Sequence, residues 1–291
     1  MITSSKLLGM RTRIEATTTE RRTLGFLAGA EVRDVTGTAL MGAEYETEAC
    51  IADVGGEWID DCLMQFGGMD SSKAAPTASP PTSPNDPTKL YNKKSFQDPT
   101  DVVSGDPFTT FAGVQCDMVT ASEDEYRTRS QRKHGYVEGR QVDYHMARYI
   151  ANNGNDMGDC PLSRMIYNAE YAAANEYGGY AYMWMSMPLL ACAAQQGLIH
   201  PCPPDRCVSS SSMWRTTSGN YAIGIAHNDA VTTKNFFMTG EVTLLRGPQE
   251  THVVNEVQDN VRKALTERVY VPLVECMAYY ATATCDAPVT P

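Results

Sequence analysis

The stretch from Ser122 to Ile150 constrains this chain more than any other. Ser122 with Glu125 three residues on is a capping-box pattern, in which the hydroxyl takes an unpaired N–H and the carboxylate reaches back. Glu123, Asp124 and Glu125 stand where a helix dipole favours anions. An unbroken helix here would be roughly 40 Å long, so it needs something of domain size to lie along. Val142, His145, Met146 and Tyr149 recur at helical spacing and make one less polar face. Arg127, Arg129, Arg132, Lys133 and Arg140 occupy the other. That is too polar all round for a core helix. Two readings follow: a solvated surface helix, or a helix laid along a sheet or a neighbouring subunit. Gly135 and Gly139 each weaken the middle by about 1 kcal/mol relative to Ala, and a bend is expected there. Just before the helix, DPFTTFAGVQCDMV from Asp106 reads as an extended strand.

The segments upstream cannot bury themselves. Residues 1–22 are polar and mildly basic, without an apolar period, and read as an arm. Between 23 and 70 ten acids face one base, Arg33, and GAEYETEACIADV alternates like a strand. Arm and acidic segment are either two solvated stretches or charge partners within or between chains. Ser71 to Thr100 holds six prolines in thirty residues and is an extended loop. Set between two strand-like segments, it suggests a long projecting hairpin.

Downstream, SRMIYNAEYAAANEY (Ser163 to Tyr177) is helical by its Ala and Glu content. Tyr177 to Pro204 carries no formal charge, but glycines, Pro188 and two glutamines interrupt it. A buried strand, YAYMWMSM, and a short helix, PLLACAAQQ, fit better than a membrane span. WRTTSGNYAIGIAHND reads as strand, tight turn at Ser218-Gly219-Asn220, and strand. Asn235 to Pro248 reads as one strand, and Val254 to Glu267 as helical. RVYVPLVECMAYYATAT reads as one long strand covered on both faces, with Pro272 at a bulge or an edge.

The formal net charge of −11 argues against a general nucleic-acid binder, which needs a basic footprint. It leaves room for a shell around nucleic acid. The first residues have no apolar core of signal-peptide length, so no secretion signal is expected. The nine cysteines (Cys50, Cys62, Cys116, Cys160, Cys192, Cys202, Cys207, Cys276 and Cys285) are odd in number and scattered. They are expected mostly as reduced small hydrophobes, a few of which could oxidise after release from a cell.

Candidate chemistry is sparse. His200, Cys202 and Cys207 in HPCPPDRC are zinc-ligand types, but no second pair follows at finger spacing, and the prolines explain the segment as a turn. His227 with Asp229 could form an acid–base pair, yet no nucleophile, zincin, phosphate-loop or dinucleotide motif accompanies it. Asp53, Glu57, Asp60 and Asp61 could hold a divalent cation, or form a solvated acidic turn. Ser209 to Ser212 is a flexible turn. No catalytic, cofactor or metal residue is therefore assigned, and no cofactor.

The order of these elements resembles the HK97-type major capsid protein of tailed phages, with residue patterns that look similar to capsid-like proteins of phages infecting actinobacteria. The residues that carry the likeness are LGFLAGAEVRDV, GAEYETEAC with GEWIDDC, DPFTTFAGVQC, WRTTSGNYAIGIAH, NFFMTGEVTLLRG and ALTERVYVPLVEC. The resemblance implies an α+β, HK97-like capsid fold with an N-terminal arm, extended loop, spine helix, peripheral domain and axial domain. The arm would be residues 1–41 and the extended loop 42–117, with its proline-rich insert at 71–100. Residues 118–200 would hold the spine helix and peripheral domain, 201–250 mainly the axial domain, and 251–291 the return to the peripheral domain. It implies a structural protein, not an enzyme, found in the virion after synthesis in the host cytoplasm. Its partners would be copies of itself in hexamers and pentamers, scaffold, portal and decoration proteins, and non-specifically enclosed double-stranded DNA, with no membrane. Some relatives crosslink through Lys–Asn bonds, and Lys73, Lys89, Lys93 and Lys94 lie in the projecting loop, but no partner Asn is identified. The alternatives are a tail, neck or decoration protein of the virion and, remotely, a metal-dependent hydrolase.

Overall fold

The computed structural model describes residues 2–4, 12–14, 25–46, 102–117, 122–202, 213–226, 233–256, 258 and 260–285. Strands β1 (Ile2–Ser4) and β2 (Thr12–Ile14) pair antiparallel, among the described residues with each other alone. A short helix α1 (Phe26–Gly29), strand β3 (Glu31–Asp34) and a 3-10 turn at Gly37–Met41 follow. Strand β4 (Ala43–Glu46) then meets β5 (Val102–Gly105) antiparallel, Ala43 opposite Gly105 and Glu46 opposite Val102. The pairing of β4 with β5 thus brings Glu46 and Val102 side by side, which is the base that a projecting hairpin requires. The proline-rich segment itself lies outside the described residues.

Strand β6 (Phe108–Asp117) leads into α2 (Glu123–Asn153), one uninterrupted helix through both glycines. Ser122 caps it as expected, its hydroxyl accepting from the Glu125 N–H at 3.3 Å. The Glu125 carboxylate pairs forward with Arg129. The chain continues through β7 (Asn155–Pro161), α3 (Leu162–Glu176), β8 (Tyr182–Ser186), α4 (Met187–Gln195) and β9 (Ile199–Pro201). β10 (Met213–Thr216) and β11 (Tyr221–Ile225) form the expected hairpin. The remaining strands are β12 (Phe236–Thr239), β13 (Val242–Arg246), β14 (Glu250–Glu256), β15 (Val261–Val274) and β16 (Ala278–Thr284).

Two sheets organise these elements. The larger runs β7-β16-β12-β8-β11-β10-β9. It is covered on both faces, which is why β8 runs Met183-Trp184-Met185 without a polar residue between its ends. Met183 and Met185 face α3 and α4 with Leu162, Met165, Ile166 and Leu189. Trp184, between them, faces the other way toward Val142, Met146 and Ile150 of α2 and Phe26 of α1. The smaller sheet runs β14-β15-β13-β3, with β6 on the opposite side of β15. Helix α2 lies across it. Among the described residues no helix is long and apolar enough to cross a membrane.

Three readings from sequence are corrected. Asn235 to Pro248 is two strands in different sheets, β12 in the larger and β13 in the smaller. The final apolar run divides in the same way into β15 and β16 around Glu275-Cys276-Met277. The two crossings lie side by side: Glu275 N–H donates to Glu241 O at 2.9 Å and Gly240 N–H to Met277 O at 3.2 Å. A Cβ at Gly240 would overlap the Glu275 carbonyl. The Tyr177 hydroxyl donates to Glu275 at 2.7 Å and accepts from Glu241 N–H at 3.1 Å, so α3's end is tied to both crossings. Val254 to Glu267 is not helical: β14 and β15 form a hairpin with Val253 opposite Ala264, turning near Asn260 at φ 52°. Pro272 lies beyond the end of β6, and its carbonyl faces Gly105 rather than β13, so its missing N–H costs no ladder bond.

The cysteine expectation is also corrected. Cys192 of α4 is bonded to Cys285 just past β16, and Cys202 and Cys276 are disulfide-bonded too.

Candidate assembly surfaces

Helix α2 is built on a spacing of four. Tyr126, Ser130, His134, Glu138, Val142, Met146 and Ile150 are all buried. A step of four advances about 40° beyond a full turn. The buried row therefore winds around the helix as an inclined ridge, following the twist of the sheet beneath it. Directly opposite, at the same spacing, run Thr128, Arg132, Tyr136, Arg140, Tyr144 and Arg148, exposed except for the half-buried Tyr144.

The buried row is polar in its first half, and each member has partners. Ser130 donates to Ala112 O at 3.0 Å and accepts from Thr266 at 2.8 Å. His134 is fully buried, with Nε2 3.0 Å from Thr110 Oγ1 and Nδ1 3.0 Å from the Gln249 amide. The amide can only donate to Nδ1 from its nitrogen, which leaves Nε2–H to donate to Thr110. Glu138 accepts from Arg268 at 2.7 Å and from the Tyr270 hydroxyl at 2.8 Å. Beside the row, Gln141 holds the Phe111 backbone in both directions, each bond at 2.8 Å. The helix thus grips β6 and β15 through side chains rather than through apolar packing, and β6 continues directly from the hairpin base. Buried polar groups with complete partners specify one arrangement of helix on sheet.

Asp143 joins three elements. It is buried, and its two carboxylate oxygens accept from Phe26 N–H at 2.8 Å and Ala226 N–H at 2.7 Å. These come from the start of α1 and the residue after β11. Burial pushes its pKa up to about 7, against the pull of the bonds from Ala226 and Phe26. Gly25 has φ +66°, and a Cβ there would overlap the Asp143 carboxylate.

The smaller sheet is covered by α2 on one face; its other face is covered at the β13 end, where Leu245, Val271 and Leu273 pack with Val35 and Ala43, and is open where β6, β15 and β14 meet. Ala264 and Thr266 of β15 point under α2, so Leu265 and Glu267 point away. Phe111, Val254 and Leu265 share this outer face and are 57%, 55% and 38% exposed. Gly113 lies across from Leu265 and shields nothing. His252 sits there 3.6 Å from Glu250 and 3.5 Å from Glu267, a cross-strand charge cluster. On α3, Tyr167 and Tyr171, one turn apart, are also exposed.

No family model matches the sequence, and no curated protein matches it. Solved structures do. The capsid of the native GTA particle aligns over 96% of this chain and 96% of its own, with TM-score 0.51 and 11% identity. The mature capsid of bacteriophage PhiM1 aligns over 94% and 91%, with TM-score 0.48 and 9% identity. Mycobacterium phage Cain aligns over 94% and 96%, with TM-score 0.48 and 9% identity. The chain has the HK97-like capsid fold.

Within this HK97-like fold the residues singled out from sequence fall as follows. His200 is exposed in β9, and the adjacent Cys202 is in a disulfide, so it offers no thiolate to zinc. Cys207, His227, Asp229, the cluster Asp53, Glu57, Asp60 and Asp61, and Lys73, Lys89, Lys93 and Lys94 lie outside the described residues. The helix read as too polar for a core does carry a core row. Of the face expected from helical periodicity, Val142 and Met146 are buried while His145 and Tyr149 are half-buried. Sequence reasoning missed Ser130, His134, Glu138 and Asp143; the strict spacing of four was the signal that could have found the first three.

Proposed function

We propose that this chain is the major capsid protein of a tailed phage. It assembles as hexamers and pentamers into an icosahedral head that encloses double-stranded DNA, and it has no catalytic role. The observation that carries the reading is the fold itself, shared end to end with the GTA capsid. It is supported by an open outer sheet face with Phe111, Val254 and Leu265, and by the pairing of β4 with β5, the base that an extended loop requires. A partner copy covers such surfaces in a shell, and many modest contacts per copy then sum to a stable assembly.

In this reading the arm lies within residues 1–41, ahead of α1 and β3, and the extended loop within 42–117, ahead of β6, reaches over a neighbour; α1, β3 and β6 belong to the body. Helix α2 is the spine, lying with the smaller sheet in the peripheral domain. We assign the larger sheet with α3 and α4 to the axial domain, which moves β7, α3, β8, α4, β9 and β16 out of the peripheral share that the resemblance implied, and leaves β13 outside the axial share. Scaffold, portal and decoration proteins are further partners, and the chain resides in the virion after synthesis in the host cytoplasm. Expression alone or with a scaffold, followed by negative-stain microscopy, tests this. Closed shells are expected, and persistent monomers under all conditions would refute it. Rings, tubes or binding only to preformed heads would make it a tail, neck or decoration protein. Stoichiometric zinc in purified protein would revive a metal-dependent hydrolase.

A further inference from the structure

The open face of the smaller sheet gathers three ligand-bearing side chains. Thr251 Oγ1 bonds Thr266 and Gln131 beneath α2, so its neighbours Glu250 and His252 project from the opposite face of β14. Glu267 of β15 stands directly across from Glu250. Carboxylates placed directly opposite repel, and among the described residues no lysine or arginine pairs with either. His252 brings Nε2 between them, 3.6 Å from Glu250 Oε2 and 3.5 Å from Glu267 Oε1. These separations are too long for hydrogen bonds, since a charged N–H on a carboxylate closes to about 2.7–2.9 Å. They match instead the spacing of ligand atoms around one small cation: at zinc bond lengths of about 2.0–2.1 Å, tetrahedral neighbours stand about 3.3 Å apart. One donor atom from each residue lies within 4.8 Å of the other two.

We propose that Glu250, His252 and Glu267 form a binding site for one divalent cation of the zinc class. The imidazole sets the class: Ca2+ and Mg2+ take oxygen ligands, while imidazole beside carboxylates suits zinc and its neighbours. The two carboxylates balance the charge of the ion, so binding removes the repulsion that their register builds in. The ladder from Glu250–Glu267 to Glu256–Val261 runs without a bulge and fixes the spacing of the three backbones. Only side-chain rotamers need adjust. Leu265 lies opposite His252 and Phe111 opposite Glu267, so the site has an apolar flank, which limits competing water. Three protein ligands leave a fourth position, directed away from the sheet and open to water or to a group on whatever covers this face. All three ligands come from one subunit, so the site does not depend on assembly.

The soluble full chain, stripped of metal by a chelator, is titrated with Zn2+ by calorimetry and with Co2+ by visible absorption, at about pH 7.5 where the imidazole is neutral. Wild type should take up Zn2+ and give the strong visible band of four-coordinate Co2+. His252→Asn and Glu267→Gln should each weaken Zn2+ binding by at least about a hundredfold, since losing a ligand costs more than losing an outer partner, ~10–100-fold. Glu256→Gln, farther along the same face of β14, should bind as wild type does. Added Zn2+ should raise the Tm of wild type and of Glu256→Gln but not of the other two, and the Tm values without metal show that every variant is folded. No uptake by wild type would overturn the proposal. So would displacement of Zn2+ by an equal concentration of Ca2+ or Mg2+, which would mark a patch of charge rather than coordination by the imidazole. Zinc held equally by His252→Asn and Glu267→Gln would lie elsewhere; that also overturns the proposal, and it is the zinc that would bear on a hydrolase. Shells imaged in parallel are read separately: shells without zinc uptake overturn this site alone, and zinc uptake without shells counts against the capsid reading alone.

Discussion

Replacing Asp143 with Asn tests the junction of α1, α2 and β11. Burial raises the folded-state pKa of Asp143 from its ordinary 3.8 to about 7. The folded chain therefore keeps a proton that the unfolded chain has already released. For a group shifted in this direction, the contribution to stability is full below the unfolded value and is lost as pH rises through the folded one. Between about pH 8 and pH 5 the stability of wild type should rise by about 2–3 kcal/mol from this residue. Asn does not titrate, so its stability is flat at this site. Its amide oxygen can still accept one N–H, but its NH2 group faces the other, leaving one of Phe26 and Ala226 unpaired at a cost of about 1–3 kcal/mol. The assay is urea unfolding of unassembled subunits at several pH values for both proteins. The gap in favour of wild type should widen on acidification by the amount given, other titrating groups cancelling in the difference. A gap that stays constant between pH 5 and pH 8 would refute the argument, because the carboxylate would then be no harder to ionise folded than unfolded.

Other outcomes follow from the same structure. Gly139→Ala should stabilise the subunit by about 0.5–1 kcal/mol in urea unfolding, because helix propensity improves and the new methyl meets only Leu27 at 3.9 Å. Gly240→Ala should destabilise by at least about 2 kcal/mol, since the Cβ overlaps the Glu275 backbone and neither crossing can shift alone. Reduction of Cys192–Cys285, or Cys192→Ser, should lower stability by about 2–4 kcal/mol, read as a drop in Tm with added thiol. Leu265→Arg on the outer sheet face should leave the melting of the subunit within about 0.5 kcal/mol of wild type while abolishing shells under the microscope.

Local signals in the sequence located elements well and boundaries between sheets poorly. The cap at Ser122 and the turn at Ser218-Gly219-Asn220 were legible because each depends on a few adjacent residues. The core row of α2 was not. A search at 3.6 residues per turn smears a row spaced at four, and Ser130, His134 and Glu138 read as surface residues until β6 and β15 supply their partners. Val254 to Glu267 misled because its mixture of Val, Glu, Lys, Ala and Leu suits either state. The strand pairing of Val253 with Ala264 decided it, and the adjacent Asp259 and Asn260 were the turn signal in the sequence. Gly240 and Glu275 gave no local warning that the chain changes sheets, since each crossing exists only because the other lies beside it. Asp143 could not be found from sequence at all: its two partners are 117 and 83 residues away.

The four-residue spacing of α2 also sets a rule for how this helix can change length. Two of the four classes by number modulo four hold along the helix: that of Tyr126 to Ile150 meets the sheets, and that of Thr128 to Arg148 the open side. An insertion of four residues preserves every class downstream and lengthens the helix by about 6 Å. An insertion of two exchanges the classes, sending Arg140 and Arg148 against β15 and turning Val142, Met146 and Ile150 to the outside. The span of the subunit along this helix is therefore set in steps of that size rather than residue by residue.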